Sequence, residues 1–186
     1  MCTWPKKPLD IEYHNTEWGV PLHDDDKLFE FIVLDTFQAG LSWSTILAKR
    51  ENFRKAFDGF DAQRIARYKD AKLEKLMGDA GIIRNQLKIK ATVGNAQSFL
   101  KLQKEHGSFD RYIWQFVNHT PVLNKRKADD TIPATSKESD AMSKDLYKHG
   151  FKFVGSTICY AFMQAAGLVN DHLVTCPRYN EIKKMY

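Results

Sequence analysis

The sequence predicts an all-α protein, and three observations carry this prediction. Apolar residues recur at the three- and four-residue spacing of amphipathic helices through most of the 186 residues. Acidic or hydroxyl residues that suit helix N-caps, and glycines that suit helix ends, bracket these stretches. No segment shows the convincing apolar and polar alternation that would indicate a half-buried strand.

The first third of the chain contains two predicted helices. Residues 24–26 are three aspartates, an acidic start for a helix whose apolar positions run up to Gly40. Ser42 can cap the next helix, which ends at the Asp58-Gly59 pair. The segment 2–14 is predicted to be a loop that folds back.

Six further helices are predicted, and one long polar loop separates the last two from the others. The helices cover approximately residues 62–68, 71–77, 84–104, 109–117, 139–149 and 156–169. The loop covers residues 121–138. We expect residues 1–186 to form a single domain, built on one core or as two helical lobes with a pocket between them.

Composition excludes several classes of protein. Apolar residues make up 43% of the chain, but no apolar run is long enough to cross a membrane and no signal peptide is recognisable, so we expect a cytoplasmic protein with no membrane partner. Three cysteines do not form a disulfide framework. The net charge of +5 permits an acidic polymer as partner without requiring one.

Two pairs of potential metal ligands lie at opposite ends of the chain. Cys2 and His14 lie near the start, and His172 and Cys176 lie near the end, four residues apart as on one helical turn. Two thiolates and two imidazoles suit a tetrahedral Zn²⁺. The alternative is that these residues are ordinary buried side chains, because the Cys2 to His14 spacing matches no common zinc finger.

The connection between the last two predicted helices is a short hairpin over residues 150–157. It contains two glycines followed by a serine and a threonine, so its backbone N–H groups could bind a phosphate at the start of a helix. Arg84, Lys88 and Lys90, with Lys144, Lys148 and Lys152, could add a basic rim if the fold brings them together. The alternative is an ordinary helix hairpin with solvated lysines.

An aromatic and acidic constellation completes the candidate residues. Trp4, Tyr13, Trp18 and Trp43 lie in or near glycine-bearing segments, and Asp35 lies one helical turn before Gln38. Indole rings beside a carboxylate can sandwich a flat heterocycle and hydrogen bond to its edge. The alternative is that the tryptophans fill the core.

Several of these motifs, in collinear order, resemble the bacterial 3-methyladenine DNA glycosylase I family. The segments that carry the resemblance are residues 13–21, 38–43, 79–84, 114–118, 150–155 and 167–172. The resemblance implies a helix-hairpin-helix DNA glycosylase fold. It also implies one structural zinc, held by Cys2, His14, His172 and Cys176, that joins the terminal segments.

The resemblance also implies which residues meet DNA and the base. Its DNA-binding positions are Gly40, Leu41, Lys152, Phe153, Gly155 and Ser156. Its base-binding positions are Trp4, Asp10, Tyr13, Trp18, Asp35, Gln38 and Trp43, of which Asp35 and Tyr13 are the catalytic candidates. Two positions depart from the family pattern, since Asp35 replaces a glutamate and Asp10 replaces a tyrosine. An aspartate after the hairpin, Asp171, is not expected to be catalytic.

The function implied is base excision repair. A monofunctional glycosylase would flip 3-methyladenine out of alkylated double-stranded DNA, hydrolyse its N-glycosidic bond, release the free base and leave an abasic site. We expect it to act as a monomer. The alternative is a zinc-stapled DNA-binding protein whose lesion specificity is altered or lost because of Asp35.

Overall fold

The computed structural model describes residues 2–127 and 132–186, which form ten α-helices, two short 3-10 turns and one pair of two-residue strands. The helices are α1 (Pro8–Thr16), α2 (Asp25–Gln38), α3 (Trp43–Ala56), α4 (Ala62–Ile65), α5 (Asp70–Gly78), α6 (Gln86–His106), α7 (Phe109–Trp114), α8 (Lys137–Lys148), α9 (Ser156–Ala165) and α10 (Pro177–Lys183). The 3-10 turns are Asp58–Phe60 and Gln115–Val117, and the strands are β1 (Val122–Leu123) and β2 (Val169–Asn170). No helix among these is both long and apolar enough to cross a membrane.

Helix α2 is the centre of the fold. Every residue from 28 to 37 is buried, and α3, α6, α7 and α9 pack around it. A helix that is enclosed on all faces places whatever polar residue it carries in a water-poor environment. Asp35 is such a residue, and this position gives its carboxylate unusual chemistry.

The predicted all-helical class is confirmed in its main features. Asp24 caps α2 by accepting a hydrogen bond from Lys27 N at 2.9 Å, and Ser42 caps α3 by accepting one from Thr45 N at 3.2 Å. Part of the predicted long loop, residues 128–131, lies outside the described residues.

Three local predictions are wrong. The segment 2–14 is not a loop throughout, because α1 begins at Pro8, whose fixed φ suits the first helical position. Residues 172–176 form a turn that precedes α10 rather than a helical turn. The parallel pair β1–β2 was not expected, since strands of two residues are too short to show alternation.

The segment after α1 is fastened to the end of α9. Gly19 N donates to Gln164 O at 2.9 Å, and Leu22 N donates to Ala166 O at 3.0 Å. Gly167 has φ +73°, and a Cβ there would lie 2.4 Å from the carbonyl carbon of Val20. Only glycine allows this approach, which brings the N-terminal and C-terminal thirds of the chain together.

A buried ionic network fixes α1 and α2 to α3. The guanidinium of Arg50 donates to both carboxylate oxygens of Glu17, at 2.9 and 2.8 Å, and to Glu30 at 2.6 Å. Arg54 reaches the same oxygen of Glu30 at 2.8 Å. The side chains of Arg50 and Glu30 are each only 10% exposed, so these two charges are held by each other rather than by water.

Replacing Arg50 by methionine is expected to lower the free energy of unfolding by about 1–3 kcal/mol, because Glu30 would lose one of its two cationic partners in a buried site. Urea unfolding at pH 7 measures the change. Arg54→Met is the matched control, and it should cost less because its side chain is 39% exposed. Equal losses in the two variants would contradict the buried role of Arg50.

Candidate functional site

A cavity of about 200 Å³ lies where α1, α2, α3 and α9 meet. Its lining consists of Trp4, Tyr13, Trp18, Asp35, Gln38, Trp43, Ile132, Ala161, Gln164 and Ala165. Six of the seven residues named from sequence as base-binding therefore lie around one space. Its volume suits a single flat ring system better than a larger ligand.

Aromatic rings form most of the wall. The ring centroids of Trp4 and Trp18 lie 5.2 Å apart in an edge-to-face arrangement, and those of Tyr13 and Trp43 lie 5.2 Å apart. Trp43 stands at the first position of α3, directly after the cap of Ser42. Such π faces favour a flat ligand, and a positively charged one above all.

The carboxyl group of Asp35 forms the acidic part of the wall. Its side chain is buried on α2, and burial raises its pKa well above the usual range. The pKa of Tyr13 is also raised, first by burial and then by the nearby charge of Asp35. Tyr13 therefore remains a protonated phenol, while Asp35 resists ionisation until a positive charge is brought beside it.

Four polar atoms of this wall are buried and have no hydrogen-bond partner among the described residues. They are Nε1 of Trp4, Oδ2 of Asp35, Oε1 of Gln38 and Nε1 of Trp43. Buried polar atoms are usually paired, so a cluster of four marks a site for a ligand with complementary groups. Two donors and two acceptors match the mixed edge of a nucleobase better than a purely apolar ligand.

Asp10 lies outside the lining of this cavity. Its Oδ2 atom accepts a hydrogen bond from Ser44 Oγ at 2.8 Å and another from the backbone N–H of Lys7 at 3.3 Å. It thus joins the first turn of α1 to the first turn of α3, beside Trp43. Its Oδ1 atom is buried and has no partner among the described residues.

The four sequence-predicted metal ligands meet at one point. The ligand atoms of Cys2, His14, His172 and Cys176 all lie within 4.8 Å of one another, and all four residues are buried. Cys2 Sγ is 3.7 Å from His172 Nδ1, and Cys176 Sγ is 3.7 Å from His14 Nε2. Tetrahedral Zn²⁺ with bonds of about 2.0–2.3 Å separates its ligands by about 3.3–3.8 Å, which matches the two distances of 3.7 Å, while the widest pair, at up to 4.8 Å, is more open.

The second nitrogen of each imidazole is already bonded, which orients the ligating nitrogen toward the cluster. His14 Nδ1 lies 2.7 Å from Asn15 Oδ1, and His172 Nε2 lies 2.9 Å from the backbone oxygen of Trp18. Burial lowers the pKa of His172 to about 4, so its ring is neutral near pH 7, as ligation requires. This group could hold a metal ion, and its four protein ligands would leave no open position.

The cluster and the cavity share a wall. The ring of Trp18 lies 4.6 Å from that of His172, and the ring of Trp4 lies 5.8 Å from that of His14. The two tryptophans thus separate the ligands from the cavity. Whatever holds the four ligands together also fixes the positions of these aromatic walls.

The loop that connects α2 to α3 is exposed at its tip and anchored at its base. Gly40 has φ +81°, and the following Leu41 is 42% exposed. Lys88 Nζ donates to Phe37 O at 2.9 Å and to Ala39 O at 2.5 Å. Lys88 was expected in a basic rim, but its buried ammonium instead binds the last carbonyls of α2.

The hairpin between α8 and α9 is held rigidly against α6. Asn95 accepts a hydrogen bond from Lys152 N at 2.8 Å and donates one to Lys152 O at 3.1 Å. Phe153 follows with φ +57°, and Gly155 precedes the first residue of α9, Ser156. The backbone of Lys152 is therefore fixed while its side chain is exposed, an arrangement suited to a phosphate.

Asp171 is buried and saturated with hydrogen bonds. Its Oδ1 accepts from Asn124 at 2.7 Å and Arg126 at 3.0 Å, and its Oδ2 accepts from Tyr160 at 2.6 Å and Gln164 at 2.9 Å. These four hydrogen bonds leave it no free lone pair.

Sequence reasoning missed Asn95 and Gln164, which act on the site from helix interiors. Asn95 lies among other small and polar residues of α6 and gives no signal, whereas Gln164 is an isolated polar residue in an otherwise apolar stretch of α9. Such a residue signals a buried hydrogen bond, but the sequence does not show which residue is its partner.

Comparison with known proteins agrees with this geometry. A family model described as methyladenine glycosylase matches residues 3–179. The DNA-3-methyladenine glycosylase 1 of Escherichia coli K12 is 50% identical over 96% of each chain. A crystal structure of a 3-methyladenine DNA glycosylase I superimposes with a TM-score of 0.92 at 48% identity, over 95% of this chain and 97% of the other. The structure of a variant of such an enzyme in complex with 3-methyladenine superimposes with a TM-score of 0.90 at 35% identity, over 92% of each chain.

Proposed function

The chain belongs to the methyladenine glycosylase family, and we propose that it hydrolyses the N-glycosidic bond of 3-methyladenine in alkylated double-stranded DNA. The products are the free base and an abasic site, the first intermediate of base excision repair. The observation that carries the proposal is the aromatic cavity with an unpartnered buried carboxyl group.

The mechanism follows from the charge of the lesion. Methylation at N3 makes adenine cationic, so the base leaves with the electron pair of the glycosidic bond as a neutral molecule. Water then adds to the cationic sugar carbon and loses its proton to solvent. The protein needs mainly to extrude the nucleotide, hold the base and stabilise positive charge.

The cavity residues divide these tasks. The faces of Trp4, Trp18 and Trp43 stack on the cationic ring and discriminate against neutral adenine. Asp35 accepts a hydrogen bond from the base edge and stabilises its charge, and Tyr13 contacts the base as a protonated phenol. Gln38 completes the base edge contacts. Asp10 acts indirectly, because it fixes α1 to the start of α3.

Two surfaces hold the DNA. Gly40 and Leu41 enter the duplex at the space that the extruded nucleotide leaves, and Lys88 keeps their loop in place. Lys152, Phe153, Gly155 and Ser156 hold the phosphate backbone from the hairpin. Neither surface reads base sequence, as suits an enzyme whose lesion occurs in any sequence.

We also propose that Cys2, His14, His172 and Cys176 hold one structural Zn²⁺ per chain. When bound, the ion supplies a closed link between the terminal segments rather than chemistry on the substrate. We further propose that residues 1–186 act as a single domain and as a monomer in the cytoplasm.

Release of free base from alkylated duplex DNA tests the function directly. Purified protein with measured zinc content is incubated with methylated DNA, and the released bases are separated chromatographically. We expect 3-methyladenine as the main product. Zinc-loaded, folded protein that releases none would contradict the proposal.

The second candidate is a zinc-stapled DNA-binding protein without activity on this lesion, and the observation that favours it is the short side chain of Asp35. Asp35→Glu discriminates between the two. Activity that appears only in the variant supports the binding protein, whereas activity in the unaltered chain supports the enzyme.

A further inference from the structure

Gln164 is a cavity residue whose amide is held in one orientation by a buried carboxylate. It lies on α9 between the small residues Ala161 and Ala165, all three of which line the cavity. Its Nε2 atom donates to Asp171 Oδ2 at 2.9 Å. Its backbone oxygen accepts from Gly19 N at 2.9 Å, so the residue is fixed at both ends.

The surroundings of Asp171 decide which end of the amide faces the cavity. Arg126 Nε donates to Asp171 at 3.0 Å, and Asn124 and Tyr160 also donate to it. A carboxylate paired with a guanidinium accepts hydrogen bonds and donates none, so it must face the NH₂ group of Gln164. The amide oxygen Oε1 therefore faces away from Asp171, and it has no partner among the described residues.

Gln38 differs from Gln164 in this respect. Its Oε1 atom is buried without a partner, and no described residue fixes which end of its amide faces the cavity. Gln38 can rotate to present either a donor or an acceptor. As long as the bond to Asp171 holds, the oxygen of the Gln164 amide stays on the side away from Asp171, where it can accept a hydrogen bond.

We propose that Gln164 determines specificity by accepting one hydrogen of the exocyclic amino group of the flipped base, while Asp35 accepts the other. This inference rests on the proposed function and names the base edge that the cavity reads. An amino group has two N–H bonds and satisfies two acceptors. An oxo group at the same ring position would face two acceptors, and it would gain a hydrogen bond from neither of them.

The consequence is a preference for 3-methyladenine over 3-methylguanine, which carries the oxo group. The aromatic walls bind both cationic bases, so stacking alone does not produce this preference. Asp35 could rotate or take up a proton to tolerate an oxo group. Gln164 cannot turn its amide toward an oxo group without losing its bond to Asp171, so the preference for the amino group depends mainly on Gln164.

The experiment measures release of both bases from methylated duplex DNA by the unaltered protein and by Gln164→Leu, which removes the amide at similar volume. We expect release of 3-methyladenine to fall about 10-fold, the equivalent of one hydrogen bond, with release of 3-methylguanine unchanged or raised. Gln115→Leu is the matched control, because Gln115 is exposed and outside the cavity, and it should change neither rate.

A second variant covers the case in which Gln164→Leu does not fold, as judged by circular dichroism. Gln164→Asn keeps an amide but is too short to reach both Asp171 and the base, so it should lower the ratio of the two rates in the same direction. Equal losses for both bases, or an unchanged ratio, would overturn the specificity role and leave the proposed function intact. Failure of the unaltered protein to release 3-methyladenine would overturn both.

Discussion

Replacing Asp35 by asparagine is expected to reduce release of 3-methyladenine about 100-fold and at the same time to stabilise the folded protein. Asparagine keeps the size and one acceptor of the side chain but cannot offer a negative charge to a cationic base, and a preorganised charge of this kind contributes about two orders of magnitude. Single-turnover release of the base from methylated duplex DNA measures the loss.

The gain in stability follows from the pKa of Asp35. The folded state raises this pKa, so above the unfolded value of about 3.9 the folded protein binds more protons than the unfolded chain, and stability falls as pH rises. This loss of stability grows with pH until the pH passes the pKa of Asp35 in the folded state. Asparagine does not titrate, so the variant should match the unaltered protein near pH 4 and exceed its melting temperature increasingly as the pH rises.

Asp79→Asn is the control for this prediction, because Asp79 lies outside the cavity and serves a turn by accepting from Gly81 N. It should leave the activity unchanged. A variant Asp35→Asn with full activity would exclude an electrostatic role for this carboxylate. A variant that is less stable at every pH would show that Asp35 is ionised and paired in the free protein.

The helical class and the residues of the cavity could be predicted from the sequence because their signals are local. Asp24 and Ser42 cap their helices through hydrogen bonds that span three residues, and the aromatic residues lie in short distinctive motifs. Helix α1 could not be predicted because it lacks such local signals. Lys7 is a poor cap residue, and the apolar residues of the helix are not gathered on one face.

The other features of the fold and the site depend on hydrogen bonds between residues that are distant in sequence. Lys88 binds carbonyls of residues 37 and 39, and Asn95 clamps the backbone of residue 152. From sequence alone, Lys88 looks like a surface cation and Asn95 looks like an ordinary helix residue. Only the fold shows that a lysine serves as a helix cap and that an asparagine fixes a hairpin.

Replacing Cys176 by serine is expected to abolish zinc binding and to damage the cavity, although no atom of Cys176 lines it. Three ligands would remain, and a hydroxyl is a poor substitute for thiolate. In a buffer where free zinc exceeds the Kd of the intact site about 1,000-fold, the variant would forgo about 4 kcal/mol of stabilisation by the metal. Metal analysis and thermal melts with added zinc or chelator measure both effects.

The effect on base release should exceed what lost stability explains, because Trp4 and Trp18 lie between the ligands and the cavity. Cys159→Ser is the matched control. Cys159 is also buried and bonds to Val154 O at 3.2 Å, but it is outside the cluster. Cys159→Ser should keep the zinc and its stabilising effect. At a temperature where both variants are folded, slower base release by Cys176→Ser than by Cys159→Ser therefore measures the contribution of the metal. Retention of one zinc per chain by Cys176→Ser would refute the four-ligand site and, with it, the link between the chain ends and the base pocket.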